Sequence, residues 1–355
     1  MIPSTAASSP HLYVEPLDLH WGSAASRVRR LLDALPLLDR KAAATAVAVW
    51  RPGSAEVRRE MSAADVPEWL DTLPQEERVR ARRMIAAWNA PRCFPGAERG
   101  APALMGVVNV THDSFYAGSR RPSMEAALAE AERAAAEGAA ILDVGGQSTR
   151  PGASVVSLPY EMSAVLPVIE KTRGLGLPIS VDTLRPAVAE AGLRRGAQIV
   201  NDVSGLLPHA SAAGAALIVG DMRGNPKTMQ QWPRSRFGVF DIYARLETAV
   251  ANCLTAGIPP DRIAVDPGFG FGKSVCHNQA LMRHLPLFLG LGVTVAIGVS
   301  RKGSLGYWSG TRQPSERLPA SLAAALAAAR GGASILRVHD VAETRQMLHV
   351  FGSLA

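Results

Sequence analysis

Three groups of side chains in this sequence are of types that do chemistry. Asp143, Asp182 and Asp266, with Asn201, are acceptors that each close a short apolar run. Paired carboxylates can act as an acid–base dyad. They also suit a flat heterocycle with several N–H donors, because one carboxylate takes two adjacent donors as it takes a guanidinium. Arg150, Arg301, Lys302, Arg337 and His339 form a cationic group suited to phosphate or diphosphate. The third group is the glycine-rich run GFGFGKS at 268–274. It is not a nucleotide P-loop, since Pro267 stands where that motif needs its first glycine, and Lys273 or Val275 replaces the last glycine of the dinucleotide pattern. Its glycines let the backbone pass close to a flat ligand, with Phe269 or Phe271 packing on it. His339 has no second His or Cys at ligand spacing, which disfavours zinc. No GxSxG elbow or Ser-His-Asp order supports a hydrolase.

These residues need a scaffold that brings distant positions to one place. From residue 104 short apolar runs alternate with helical stretches such as MEAALAEAERAAAEGA. The runs fall at 104–110, 140–145, 177–182, 197–202, 215–220, 262–267, 293–299 and 333–338. Apolar strands separated by helices indicate a parallel sheet. Eight units in about 250 residues match a (β/α)8 TIM barrel, with a doubly wound open sheet as the alternative. The polar residues fall at the same end of each run. Asn109 ends the first, Asp143 the second, Asp182 the third, and Asn201 with Asp202 the fourth. Asp221 and Met222 follow the fifth, Asp266 ends the sixth, Ser300 to Lys302 follow the seventh, and Arg337 with His339 close the eighth. In a barrel those ends converge on one face, where sites are built.

Composition bounds the rest. The chain has 355 residues, 47% apolar and 19% charged, as expected of one large globular unit with an appendage. The net charge of +7 fits anionic partners. Cys93, Cys253 and Cys276 are far apart, which argues against a disulfide framework or structural zinc. No secretory signal and no long apolar span is evident, so a cytoplasmic location and no membrane partner are expected. The chain divides near the Pro- and Gly-rich stretch 90–103, giving a small α/β appendage over 1–100 and a barrel over 101–355. Within the appendage a helix is expected over 24–35 and a strand over 45–50. A short helix carrying Trp69 and Leu70 is capped by Ser62, and an Arg-dense helix spans 76–88. The basic residues follow the barrel ends rather than one helix face, so no nucleic-acid partner is expected.

From Leu104 onward the chain resembles the dihydropteroate synthase family, a pterin-binding TIM barrel, because NVTHDSF, DVGGQSTRPG, SVDT, NDVSG, DPGFGFGK, SRK and RVHD occur in that family's order. The family joins 6-hydroxymethyl-7,8-dihydropterin diphosphate to 4-aminobenzoate, releasing diphosphate. The resemblance implies a pterin pocket of Asp143, Asp182, Asn201, Met222, Asp266, Phe271, Lys302 and Arg337. It places Asn109, Thr149, Arg150, Arg337 and His339 at the diphosphate, with Mg2+ on Asn109. Ser114, Phe115, Pro151, Lys302 and Gly303 fall to the aminobenzoate. Asp182, Lys302, Arg337 and Asp113 take the catalytic roles, the partners are small-molecule substrates, and the assembly implied is a homodimer.

The sequence departs from that pattern. His112 stands for the usual Pro, Gln147 for Glu, Asp221 for His, Arg223 for Gln, and Gly303 for Ser. His112 and Gln147 favour an alternative, a synthase-like protein that holds pterin without efficient turnover. Gly303 removes a hydroxyl from the aminobenzoate end and leaves backbone N–H groups there. A pterin-dependent methyl transferase on the same barrel would not need the STRP, SRK and RVHD charges, and ranks lower.

Overall fold

The protein is described from a computed structural model, over residues 11–53, 58–91, 93–97, 102–110, 120–147, 156–204, 214–222, 229 and 238–354. The N-terminal region builds an antiparallel sheet. Strand β1 (Tyr13–Trp21) pairs along the whole of β3 (Ala42–Trp50), while β2 (Leu35–Leu37) and β4 (Arg58–Ser62) share the other edge of β3. Helix α1 (Gly22–Leu31) ends sooner than its periodicity suggests, because Leu35 passes into β2. Ser62 acts as a cap, its Oγ accepting from Ala64 N at 3.3 Å. The turn it caps leads into α2 (Val66–Thr72), which buries Trp69. Helix α3 (Gln75–Trp88) buries Ala81, Met84 and Trp88, exposes Arg82 and Arg83, and keeps Arg78 and Arg80 half-buried.

Three strands, β1, the short β2 and β4, are absent from the sequence expectation. Pro16 and the charges of β1 mask it, and β1 tolerates Pro16 because it is an edge strand. Strand β4 is polar and exposed, with no apolar alternation to reveal it.

The second sheet is a closed parallel barrel. Its strands are β5 (Ala103–Asn109), β6 (Ile141–Gly145), β7 (Ile179–Asp182), β8 (Ile199–Asp202), β9 (Ala216–Gly220), β10 (Ile263–Asp266), β11 (Thr294–Ile297) and β12 (Ile335–Val338). The helices are α4 (Arg120–Glu137), α5 (Leu158–Thr172), α6 (Pro186–Arg194), α7 (Val239–Thr255), α8 (Val275–Arg283), α9 (Gly303–Ser309), α10 (Leu318–Arg330) and α11 (Val341–Leu354); both α9 and α10 lie between β11 and β12, and no described helix separates β8 from β9. Strand residues are buried on both faces, which is why these runs read as apolar rather than alternating. The TIM-barrel expectation is met; an open sheet is not what forms.

The stretch expected as a plain linker does more. Phe94 bridges to Ala97, and both are buried in one apolar cluster with Met105, Ile141, Ile199, Ile218 and Ile335. Those residues lie toward the N-terminal ends of the strands, so Phe94 plugs the lower end of the barrel. Burying a side chain of that size is worth about 1.5–3 kcal/mol. The appendage and barrel share a continuous core that includes Val14, Met84, Trp88, Tyr243 and Phe288. Across their boundary Arg80 makes a bidentate pair with Glu247 at 3.1 and 3.0 Å, and Tyr13 meets Tyr243 edge-on. Among the described residues no helix is long and apolar enough to cross a membrane.

Candidate functional site

The site is one step of strand alternation above the apolar plug. Successive inward positions on a strand are two residues apart. Ile141 lies in the lower layer and Asp143 in the next; Ile199 precedes Asn201, Ala264 precedes Asp266, and Ile335 precedes Arg337 in the same way. Asp143 therefore stands in the middle of β6, which runs on to Gly145, and not at its end as expected. Asn201, Asp266 and Lys302 share one mouth, as the barrel required.

The polar layer is interlocked. Arg337 donates through Nε to Asp143 Oδ2 at 2.6 Å and through Nη2 to Asp182 Oδ2 at 2.8 Å. Asn201 Nδ2 donates to the same Asp143 oxygen at 3.2 Å. Asp143 Oδ1 is buried and accepts from no described group. Burial pushes the Asp182 carboxyl up to about 7, with the Asp143 charge adding to it and Arg337 opposing. Burial works against the charge of Arg337, but Asp143 and Asp182 outweigh it and hold it firmly cationic. Asp266 is raised by burial, against the pull of Lys302 and the Gly268 N–H, which reaches Asp266 Oδ1 at 2.7 Å. Lys302 is pushed down to about 7 by burial, though Asp266 pulls it back.

The glycine loop after β10 supplies the floor beside these groups. Gly268 has φ +72°, and a Cβ there would run into the Asp221 carbonyl. Gly270 has φ +82°, and its Cβ would lie 2.9 Å from the Lys302 stem. Phe269 is fully buried and Phe271 half-buried, so Phe271 is the ring left at the mouth. Lys302 Nζ lies 4.0 Å from its centre and hydrogen-bonds the Phe269 carbonyl.

Asp221, a departure from the family pattern, is accommodated by partners the sequence does not advertise. Arg245 grips it at 2.6 and 3.0 Å, and the buried Lys273 reaches its side chain at 2.9 Å and its carbonyl at 2.8 Å. Burial would raise the Asp221 carboxyl, but Lys273 and Arg245 win and hold it below the usual range. Lys273 also reaches the Phe271 carbonyl at 3.2 Å, tying the tip of β9, and Met222 after it, to the glycine loop.

The remaining expectations divide. Arg301 is not a free rim cation: its guanidinium is committed to Asp340, and Arg301 N donates to Ser321 Oγ at 2.9 Å. That clamp holds Arg301 at φ +57°, a conformation non-glycine residues seldom adopt. His339 Nδ1 lies 3.0 Å from Ser300 Oγ. Asn109 is exposed at the end of β5. Gln147 accepts from Val156 N at 2.8 Å, joining the two ends of the run 148–155. Gly303 opens α9 with no atom within 4 Å of where a Cβ would stand. Asp113, Ser114, Phe115, Thr149, Arg150 and Pro151 lie outside the described residues, as do His112 and Arg223. Sequence reasoning missed Glu161, which is buried and accepts from Thr183 Oγ1 at 2.6 Å and Arg185 at 2.9 Å beside the tip of β7. Lys273 was visible only as a failed nucleotide motif, and Arg245 carried no signal.

The chain matches the family described as pterin binding enzyme over residues 105–339. It is similar to a dihydropteroate synthase of Neisseria meningitidis serogroup B, 44% identical over 278 residues, covering 75% of this chain and 97% of that protein. Among solved structures it resembles the Xanthomonas albilineans dihydropteroate synthase with 4-aminobenzoic acid, at 42% identity and TM-score 0.67, over 72% of this chain and 93% of that one. It also resembles the Burkholderia cenocepacia dihydropteroate synthase complexed with 7,8-dihydropteroate, at 41% identity and TM-score 0.65, over 71% and 91%.

Proposed function

Because the chain belongs to the pterin-binding enzyme family, we propose that its barrel is a dihydropteroate synthase, a transferase of folate biosynthesis. It joins 6-hydroxymethyl-7,8-dihydropterin diphosphate to 4-aminobenzoate and releases diphosphate and 7,8-dihydropteroate. The observation that carries the reading is one mouth where the buried acceptors Asp143, Asp182, Asn201 and Asp266 meet Lys302 and Arg337. Acceptors of that kind fit the donor edge of a pterin, and the cations fit a diphosphate.

On this reading Asp266 takes the pterin's amino and ring N–H groups, with Asn201, Met222 and Phe271 around the ring. Asp143 keeps Oδ1 for a further donor. Two of the Arg337 nitrogens are committed to carboxylates, which holds the guanidinium plane as a face for stacking. The bond that breaks joins the pterin methylene carbon to the diphosphate, and the electron pair leaves with the diphosphate. Arg337 and His339, with Thr149 and Arg150, meet that growing charge. Asp182 faces the cation left on the pterin. The amine of 4-aminobenzoate, held by Ser114, Phe115, Pro151, Lys302 and Gly303, then forms the new C–N bond and passes its surplus proton to water. Asp113 keeps the catalytic role that the resemblance gives it, and exclusion of water protects the cation.

Magnesium is part of the proposal. Asn109 is exposed at the end of β5 and would hold Mg2+ through its carboxamide together with the substrate phosphates. When bound it supplies positive charge to the departing diphosphate. No cluster of three or more His, Cys, Asp or Glu among the described residues competes with that mode. A cytoplasmic location and a homodimer complete the reading; light scattering of the purified protein tests the latter.

The deciding experiment supplies both substrates with Mg2+ and follows diphosphate and dihydropteroate together. Stoichiometric formation of both is expected. Pterin binding without diphosphate release would establish the binding-only alternative.

A further inference from the structure

The appendage lies outside the span 105–339 shared with the family and carries no chemical motif. We propose that it positions the glycine loop of the pocket through helix α8, with Glu15 and His284 as the positioning residues. The inference rests on the reading of that loop as part of the pterin pocket.

Helix α8 is held at both ends, by different things. At its start Ser274 caps it, Oγ accepting from His277 N at 3.2 Å. One turn in, Asn278 is buried and ties the helix to the site. Its Oδ1 accepts from Gly270 N at 2.8 Å, and its Nδ2 donates to Ser304 Oγ at 2.9 Å and to the Lys273 carbonyl at 3.4 Å. Gly270 sits against the Lys302 stem, and Ser304 is in the first turn of α9, directly after Lys302 and Gly303. One asparagine therefore sets the glycine loop and the start of α9 relative to each other.

At the other end His284 closes α8, its N–H bonded to the Ala280 carbonyl at 2.9 Å. Its Nδ1 lies 3.0 and 3.1 Å from the two carboxylate oxygens of Glu15. Glu15 is 1% exposed, although it belongs to β1 of the appendage. Trp50 of β3 donates to the same carboxylate at 2.9 Å and meets the His284 ring edge-on at 5.2 Å. A carboxylate buried so completely is costly unless its partners stay in place, so this contact is an exacting one. The chain after His284 turns straight into the appendage: Gly290 leaves room for Met84, and Gly292 for Ala87.

Between the two ends the helix reads VCHNQALMR, with no glycine or proline to act as a hinge. At about 1.5 Å per residue it is a strut roughly 13 Å long. A shift at His284 is therefore carried to Asn278, and from there to Gly270. The appendage is the outer abutment of that strut.

The test uses the full chain and three readouts: KM for each substrate, kcat, and hydrogen exchange at the amides of residues 268–272. His284→Leu keeps apolar volume and removes the tie. It should raise KM for the pterin diphosphate roughly 3- to 10-fold and leave kcat within about twofold, the size of effect expected of coupling through an intermediate element. KM for 4-aminobenzoate should stay put, and exchange at Gly270 should speed up. His284→Gln, which can still donate to Glu15, should restore both. In a double-mutant cycle, His284→Leu should add little once Asn278→Ala is present, since both act on one path. A lower melting temperature with unchanged KM and unchanged exchange would overturn the proposal and leave the contact a stabilising one only. If His284→Leu does not fold, His284→Phe, which keeps a ring against Trp50 and cannot hydrogen-bond Glu15, carries the same test. Failure of the wild-type chain to turn over would remove the functional reading, while the exchange experiment would still decide the coupling.

Discussion

The two layers inside the barrel differ by a single step along each strand, yet they do opposite things. In the lower layer Met105, Ile141, Ile199, Ala264 and Ile335 close around Phe94 in a dry, fully buried cluster. In the upper layer Asp143, Asn201, Asp266 and Arg337 are polar, and burial raises the proton affinity of Asp266. The lower layer satisfies itself through packing alone. The upper one carries carboxylates crowded against each other and a lysine brought near neutrality, an arrangement that serves a ligand better than it serves stability. The lesson is a division of labour: apolar residues at one position hold the strands so that the next inward position can bear unfavourable charge.

The largest effect should come from the upper layer. Lys302→Ala should cut kcat/KM by about 10²–10³, the loss typical of removing one preorganised electrostatic group, while shifting the melting temperature less than any lower-layer truncation. Unchanged turnover would remove Lys302 from the chemistry. Next is the plug. Phe94→Ala should cost about 3–5 kcal/mol of stability in a denaturant titration, with both KM values unaltered; a change in KM without loss of stability would erase the distinction between the layers. The third concerns pH. Lys302 loses its proton as pH rises through about 7, and Asp182 gains one as pH falls through about 7. A rate that needs the cation and the carboxylate therefore peaks near neutrality and falls on both sides, by up to about tenfold per pH unit. Lys302→Arg should move only the alkaline limb upward, and a flat profile would sever the link between these shifts and the reaction. The smallest effect belongs to Gln147→Glu. Either side chain can accept from Val156 N, so kcat should stay within about twofold, well inside the range of substitutions that break no buried contact.

The barrel was legible because its strands read as continuous apolar runs, each with a polar residue in its C-terminal part or just after it. Asp182, Asn201 and Asp266 needed nothing more than the rule that barrel strand ends converge. What was hidden was pairing over long sequence distances. Arg301 looked like a rim cation, but Asp340, beyond α10 in the chain, is paired with it. Asp221 looked like an unbalanced substitution, and its partners Arg245 and Lys273 come from a helix and a loop no local pattern connects to it. Phe94 was concealed by its neighbours: in a stretch full of Pro, Gly and charge, one aromatic ring decides the role. Strand β4 had no apolar rhythm at all, and only its pairing with β3 makes it a strand.

The sealed floor has a consequence for traffic. Among the described residues Phe94 and its ring of aliphatic neighbours close the N-terminal end of the barrel, which leaves the polar layer facing the C-terminal end. A ligand that settles against Asp143 and Asp266 therefore comes and goes by the C-terminal end of the strands. The direction of approach is then a property of the architecture, set from the opposite end by a buried phenylalanine.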